Sequence, residues 1–184
     1  MGVFQRAQQL EVELVQVRHQ LHENAEVGLE LPKTKEIVRE CLSAIGVRYE
    51  EPGRIGIVAR LGQGTKRILL RADMDALPMS ENTGLPYASK DPNTMHACGH
   101  DMHTAMLLRA AKLLKERESQ LEGEVVLMFQ PGEEGFAGAR RMIEAGLLQQ
   151  PVDAAVALHM AAMAEYPTGI IVPALGTVHA SNDR

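Results

Sequence analysis

The chain has 184 residues, enough for one domain with a substantial core, and its 45% hydrophobic and 23% charged residues are ordinary for a globular protein. The net charge of −5 is spread along the chain, and aromatic residues make up 3% with no Trp. This argues against a nucleic-acid surface, a base-stacking platform and a polybasic membrane patch.

No run reaches the roughly 18 apolar residues of a membrane span. The N-terminus mixes charges into a helical period and has no apolar signal core. Arg6 stands where a myristoylation motif at Gly2 needs Ser or Thr. The expected location is cytoplasmic.

The first stretch, to about residue 22, reads as one amphipathic helix with Leu10, Leu14, Val17 and Leu21 on a face. A loop follows, and Pro32 sits near the start of a second helix that ends at Gly46. Cys41 belongs to the apolar stripe of that helix and reads as a small core residue, not as a disulfide partner for Cys98. Residues 56–61 and 67–71 read as strands around a GQGTK turn, and a turn-rich stretch runs from Pro78 to Asn93.

Thr104 to Lys115 reads as a helix, 124–129 as a strand, and about 136–145 as a helix stopped by Gly146. An apolar strand, 154–158, ends on His159, and 169–172 reads as one more strand. Helices alternating with apolar strands predict an α/β fold: a mixed, largely parallel sheet flanked by helices.

Residues 95–103 pack one thiol, three imidazoles and a carboxylate into the run MHACGHDMH. Nearly all of these can bind a transition metal. In an extended segment Cys98 and His100, two residues apart, project to the same side. Three predicted strands end in polar groups: one in Asp73 and Asp75, one in Glu133 and Glu134, and one in His159. Ligands of open α/β sheets bind beyond the carboxyl ends of strands, so these groups and the Cys98–His100 pair are expected in one cleft.

Each has a plainer reading alone: His159 as a hydrogen-bonded structural residue, Glu133 and Glu134 as solvated or helix-start acids, Asp73 and Asp75 as turn caps. Together they point to metal. One of two adjacent acids can bind the ion while the other shuttles a proton. Mixed sulfur, nitrogen and oxygen ligands favour zinc, while manganese, cobalt and nickel also fit.

The segments LLRADMDALP, MHACGHDMHT, FQPGEEG and DAAVALH resemble, in order and spacing, the amidohydrolase branch of the aminoacylase/carboxypeptidase dinuclear metallopeptidase family. RHQLHENAEVGLELPKT resembles its N-terminal segment, with Asn24-Ala25-Glu26 departing from the usual H-x-H-P-E. The resemblance implies a zinc-dependent exopeptidase fold and two divalent ions held by Cys98, His100, Glu134 and His159, with Cys98 bridging. It makes Glu133 the general base and acid, with Asp75, and also Asp73, orienting a ligand. Asp101 and His103 belong to the motif without assigned chemistry, and His19, His22, His96 and His179 are expected to be structural.

The implied reaction is water-mediated hydrolysis of the amide of N-acyl amino acids or small peptides, without a covalent intermediate. The family implies a small-molecule substrate and a homo-oligomeric parent. Its members are about twice as long, so residues 1–184 are expected to be the N-terminal part of the catalytic domain. The lid/dimerisation domain and a late catalytic segment carrying a fifth ligand His and an oxyanion-stabilising His are then absent. Little activity is expected of the 184 residues alone, and an exposed apolar sheet edge is expected. Two alternatives stand beside this: a non-catalytic metal-binding or interaction module, and a redox or sensor thiol at Cys98, which requires a reactive, low-pKa cysteine.

Overall fold

The computed structural model describes residues 2–161 and 168–172. Its elements in chain order are α1 (Val3–Gln9), α2 (Glu11–Glu23), α3 (Pro32–Ala44), β1 (Tyr49–Glu50), β2 (Ile57–Leu61), β3 (Arg67–Asp73), α4 (His100–Lys115), β4 (Glu124–Gln130), α5 (Gly138–Glu144) and β5 (Ala154–Ala157). Five strands form one sheet in the order β1-β2-β4-β3-β5. The β4–β3 and β3–β5 ladders are parallel, while β1–β2 and β2–β4 are antiparallel. The α/β class and the mixed sheet flanked by helices are as expected.

Strand alternation sorts the core into two layers. Ile57, Ala59, Leu61, Val125, Leu127 and Phe129 face a large cluster that includes Val17 and Leu21 of α2, Val38 and Leu42 of α3, and Leu108 of α4. Val58, Leu69, Val126 and Met128 face the other way, against Met142 of α5 and Leu147. Beside α5, this second face carries an open cleft of about 600 Å³ lined largely by apolar side chains, among them Leu69, Met128, Leu148 and Val156.

The structure corrects several expected boundaries. The first helix is two: Leu10, at φ −90° and ψ 0°, separates α1 from α2 and is itself buried, which turns the second segment onto the core. Residues 169–172 form no strand; Thr168 and Gly169 lie in a turn and Ile171 is exposed. The short strand β1 was not anticipated, because two residues carry no periodicity. The helix expected from Thr104 begins four residues earlier at His100, and the one expected from about Phe136 begins at Gly138.

The segment after α2 is scaffold. Glu26 accepts hydrogen bonds from the Thr34 N–H (2.9 Å), the Lys33 N–H (3.2 Å) and the Thr34 hydroxyl (3.0 Å), so it caps the start of α3 from outside the helix. Its carbonyl also accepts the Ala76 N–H at 2.7 Å, which ties this loop to the end of β3.

Candidate metal centre

Because β3, β4 and β5 run parallel, their carboxyl ends share one sheet edge, and the polar groups following them are neighbours. The N-terminus of α4 comes to the same edge. Met95 and Leu77 exchange two 3.0 Å backbone hydrogen bonds, which fix the approach of the Cys98 segment. Gly99 then adopts φ +83°, ψ 18°, and His100 opens α4. Cys98 and His100 therefore converge through a left-handed turn into a helix, not through the extended segment expected from the sequence. A Cβ at Gly99 would lie 3.2 Å from Cβ of Met160, so both conformation and space call for glycine there.

His100 is the centre of the constellation. It is fully buried, and neither ring nitrogen has a hydrogen-bond partner. Its Nε2 lies 3.9 Å from Glu134 Oε1, 4.0 Å from Glu133 Oε2 and 3.7 Å from Asp73 Oδ2; its Nδ1 lies 3.7 Å from Asp75 Oδ1. Cys98, His100 and His159 offer ligand atoms within 4.8 Å of one another, as do His100, Glu133 and Glu134. Cys98 Sγ is 3.5 Å from His159 Nε2. Donors on one zinc-like ion at about 2.0–2.3 Å stand about 3.3–3.8 Å apart in a tetrahedron, so the shortest of these spacings match a shared ion.

The sheet edge thus brings all six expected site residues together. Orphaned nitrogens on a buried imidazole, ringed by acids and a thiol, are the surroundings that a cation completes.

Asp75 does more than face His100. Its two carboxylate oxygens accept the backbone N–H groups of Glu133 (2.9 Å) and Glu134 (3.0 Å), which fixes the acid pair onto the end of β3. Glu133 keeps the more exposed side chain of the two, at 42% against 27% for Glu134.

Burial, followed by the charges of Glu134, Glu133 and Asp73, pushes the Cys98 thiol up to about 11. That runs against the low-pKa cysteine a redox or sensor role requires. Burial disfavours the charged form of His100, but Asp75, Asp73 and Glu133 outweigh it and raise its pKa. Nearby negative charge contributes to both shifts, after burial at Cys98 and against it at His100. Cys41 and Cys98 are both free.

Two features were not legible in the sequence. His103, buried on α4, bonds Asp73 and the Met160 N–H. His22 bridges two carboxylates: Nδ1 lies 2.8 Å from Asp101 Oδ2 and Nε2 lies 3.2 Å from Glu81 Oε1, while Arg18 Nε donates to the same Asp101 oxygen at 2.7 Å. Residues 79 positions apart leave no local pattern to read. His179 lies outside the described residues.

A profile of the peptidase family M20/M25/M40 matches residues 69–177, more than half of the chain. The chain belongs to this family. It is 50% identical over 149 residues to an IAA-amino acid hydrolase, ILR1-like 4, of Arabidopsis thaliana, covering 80% of this chain and 34% of that protein. It is 49% identical over 144 residues to the hippurate hydrolase of Campylobacter jejuni, covering 77% of this chain and 37% of the relative. Its fold matches a Bacillus subtilis dinuclear metal binding peptidase of the M20 family with a TM-score of 0.77 and 39% identity, over 83% of this chain and 43% of that one. The chain thus spans little more than a third of these curated relatives. Among the described residues no helix is long and apolar enough to cross a membrane.

Proposed function

We propose that the protein is a metal-dependent amidohydrolase that releases the amino acid from N-acyl amino acids or small peptides. One observation carries this reading. A thiol, an imidazole and two carboxylates converge on a buried imidazole without hydrogen-bond partners, and one carboxylate stays more exposed than its neighbour. The two hydrolases named above, one of an IAA–amino acid and one of hippurate, support the substrate class.

In this reading Cys98, His100, Glu134 and His159 would hold two divalent ions of zinc, manganese, cobalt or nickel. The ions supply a Lewis acid for the scissile carbonyl and acidify the attacking water. Glu133 takes the proton of that water and returns it to the departing amine. Asp75 keeps Glu133 and Glu134 in register with the site by gripping both backbone N–H groups.

Residues 1–184 serve as the N-terminal part of the catalytic domain of a cytoplasmic homo-oligomer, with a lid domain and a late catalytic segment supplied elsewhere. The coverage of just over a third of the relatives supports that placement.

The test is release of amino acid from N-acetyl and N-benzoyl amino acids by the full-length protein with Mn²⁺ or Zn²⁺. Glu133→Gln is expected to lower kcat by a factor of about 10²–10⁴ with the metal content unchanged. Turnover at the parent rate, or loss of metal, overturns the assignment of Glu133. No turnover of any N-acyl amino acid by the parent overturns the function.

A further inference from the structure

The proposed reaction leaves His103 without a part, although it is only 3% exposed and bonded at both ring nitrogens. Its Nε2 accepts the Met160 backbone N–H at 2.8 Å. A backbone N–H can only donate, so Nε2 carries a lone pair, and the ring proton sits on Nδ1, which donates to Asp73 Oδ1 at 2.6 Å. Asp73 is held in turn, with its carbonyl accepting the Thr104 hydroxyl at 2.8 Å and its Oδ2 lying 2.8 Å from the Arg71 guanidinium.

Met160 is gripped from the other side too, because its carbonyl accepts His159 Nδ1–H at 2.7 Å. With that proton committed, His159 presents the lone pair of Nε2 toward Cys98 Sγ. The strand that delivers His159 is paired with β3 through Ala157, but its side chains are exposed along its whole length and the ladder stops two residues before His159. Among the described residues, the Met160–His103 bond and the His159–Cys98 contact are the side-chain hydrogen bonds that tie 158–161 to the rest of the structure.

We infer that His103 is a positioning residue: together with Asp73 it pins the Met160 main chain, and through it sets the place and the tautomer of His159 as a metal ligand. The inference rests on the proposed role of His159, and it assigns work to a motif histidine whose two ring nitrogens are already bonded to Asp73 and the Met160 N–H.

The test is Co²⁺ affinity and the Co²⁺ absorption spectrum of the 184-residue chain, in a cycle of His103→Leu, His159→Ala and the double variant, each checked for native circular dichroism. His103→Leu is expected to weaken Co²⁺ binding about 10- to 100-fold and to change the ligand-field bands as His159→Ala does. The double variant is expected to bind no more weakly than His159→Ala alone. His103→Gln, which keeps an acceptor near the Met160 N–H, is expected to recover most of the affinity. A purely structural role would lower melting temperature in all His103 variants without this selective coupling.

Parent-like binding by His103→Leu, or multiplying losses in the double variant, overturns the inference while leaving His159 as a ligand. If His103→Leu does not fold, His103→Asn serves. Its amide still reaches Asp73 but stops short of Met160, so parent-like affinity in that variant overturns the inference as well. A parent chain that binds no Co²⁺ overturns the proposed function and this inference together.

Discussion

Asp75 has the most exacting contacts of any acid at the site, two backbone N–H groups on two oxygens. Asp75→Asn replaces one acceptor with an NH₂ that must face a backbone N–H, so one hydrogen bond is lost and the Glu133–Glu134 loop shifts. Metal affinity or kcat is expected to fall about 10- to 100-fold with the fold intact. Titration of the purified variant with Zn²⁺ checks this.

His22 makes a separate, pH-dependent contribution. The hydrogen bond to Asp101 raises its pKa, against burial, with Asp101 and Glu81 adding to the rise. A raised folded pKa means the stabilisation is fully present below the unfolded value of about 6.5 and is lost as pH rises through the folded value. His22→Gln is expected to remove that alkaline-side loss, so parent and variant stabilities converge as pH rises. Urea melts between about pH 6 and 9 read it directly, and a constant gap across that range contradicts it.

At the scale of elements, the join between the Cys98 segment and α4 turns on one residue. Gly99→Ala forces a left-handed conformation, at about 1–2 kcal/mol, and presses a methyl on Met160. Lower stability together with weaker metal binding is the expected result, read by thermal melting and Co²⁺ titration. A stable variant with parent-like affinity contradicts the account of the turn.

The sequence shows which residues meet here because three apolar runs each end in polar groups, and parallel strands must place those ends together. It does not show how Cys98 and His100 meet. Two-residue spacing fits an extended segment as well as a left-handed glycine before a helix, and only the packing of α4 on β3 decides. The break at Leu10 was equally hidden, since an apolar stripe continues through it. Pairings such as His22–Asp101 and His103–Met160 join distant segments and have no sequence signature.

At the scale of the whole molecule, the sheet among the described residues ends in β1 on one side and β5 on the other. β1 is short, while β5 lies at the other edge with every residue exposed, next to the apolar cleft beside α5. An exposed parallel edge with Val156 on it favours pairing with a second copy. The isolated 184 residues are expected to self-associate as concentration rises, and Val156→Lys is expected to shift the balance toward monomer. Sedimentation velocity distinguishes the two, and a monodisperse monomer in the parent contradicts the expectation.

Side chains from four separate segments, the end of β3, residues 98–100, the Glu133–Glu134 pair and His159, come together at one sheet edge as a candidate ion-binding centre. A crystal of this chain soaked in Zn²⁺, with anomalous scattering recorded at the zinc edge, tests it most directly. An anomalous peak is expected with the Cys98 thiolate at about 2.3 Å and donors from His100, Glu134 or His159 at about 2.0–2.2 Å. Zinc bound only elsewhere, with these side chains left as they are, would contradict it.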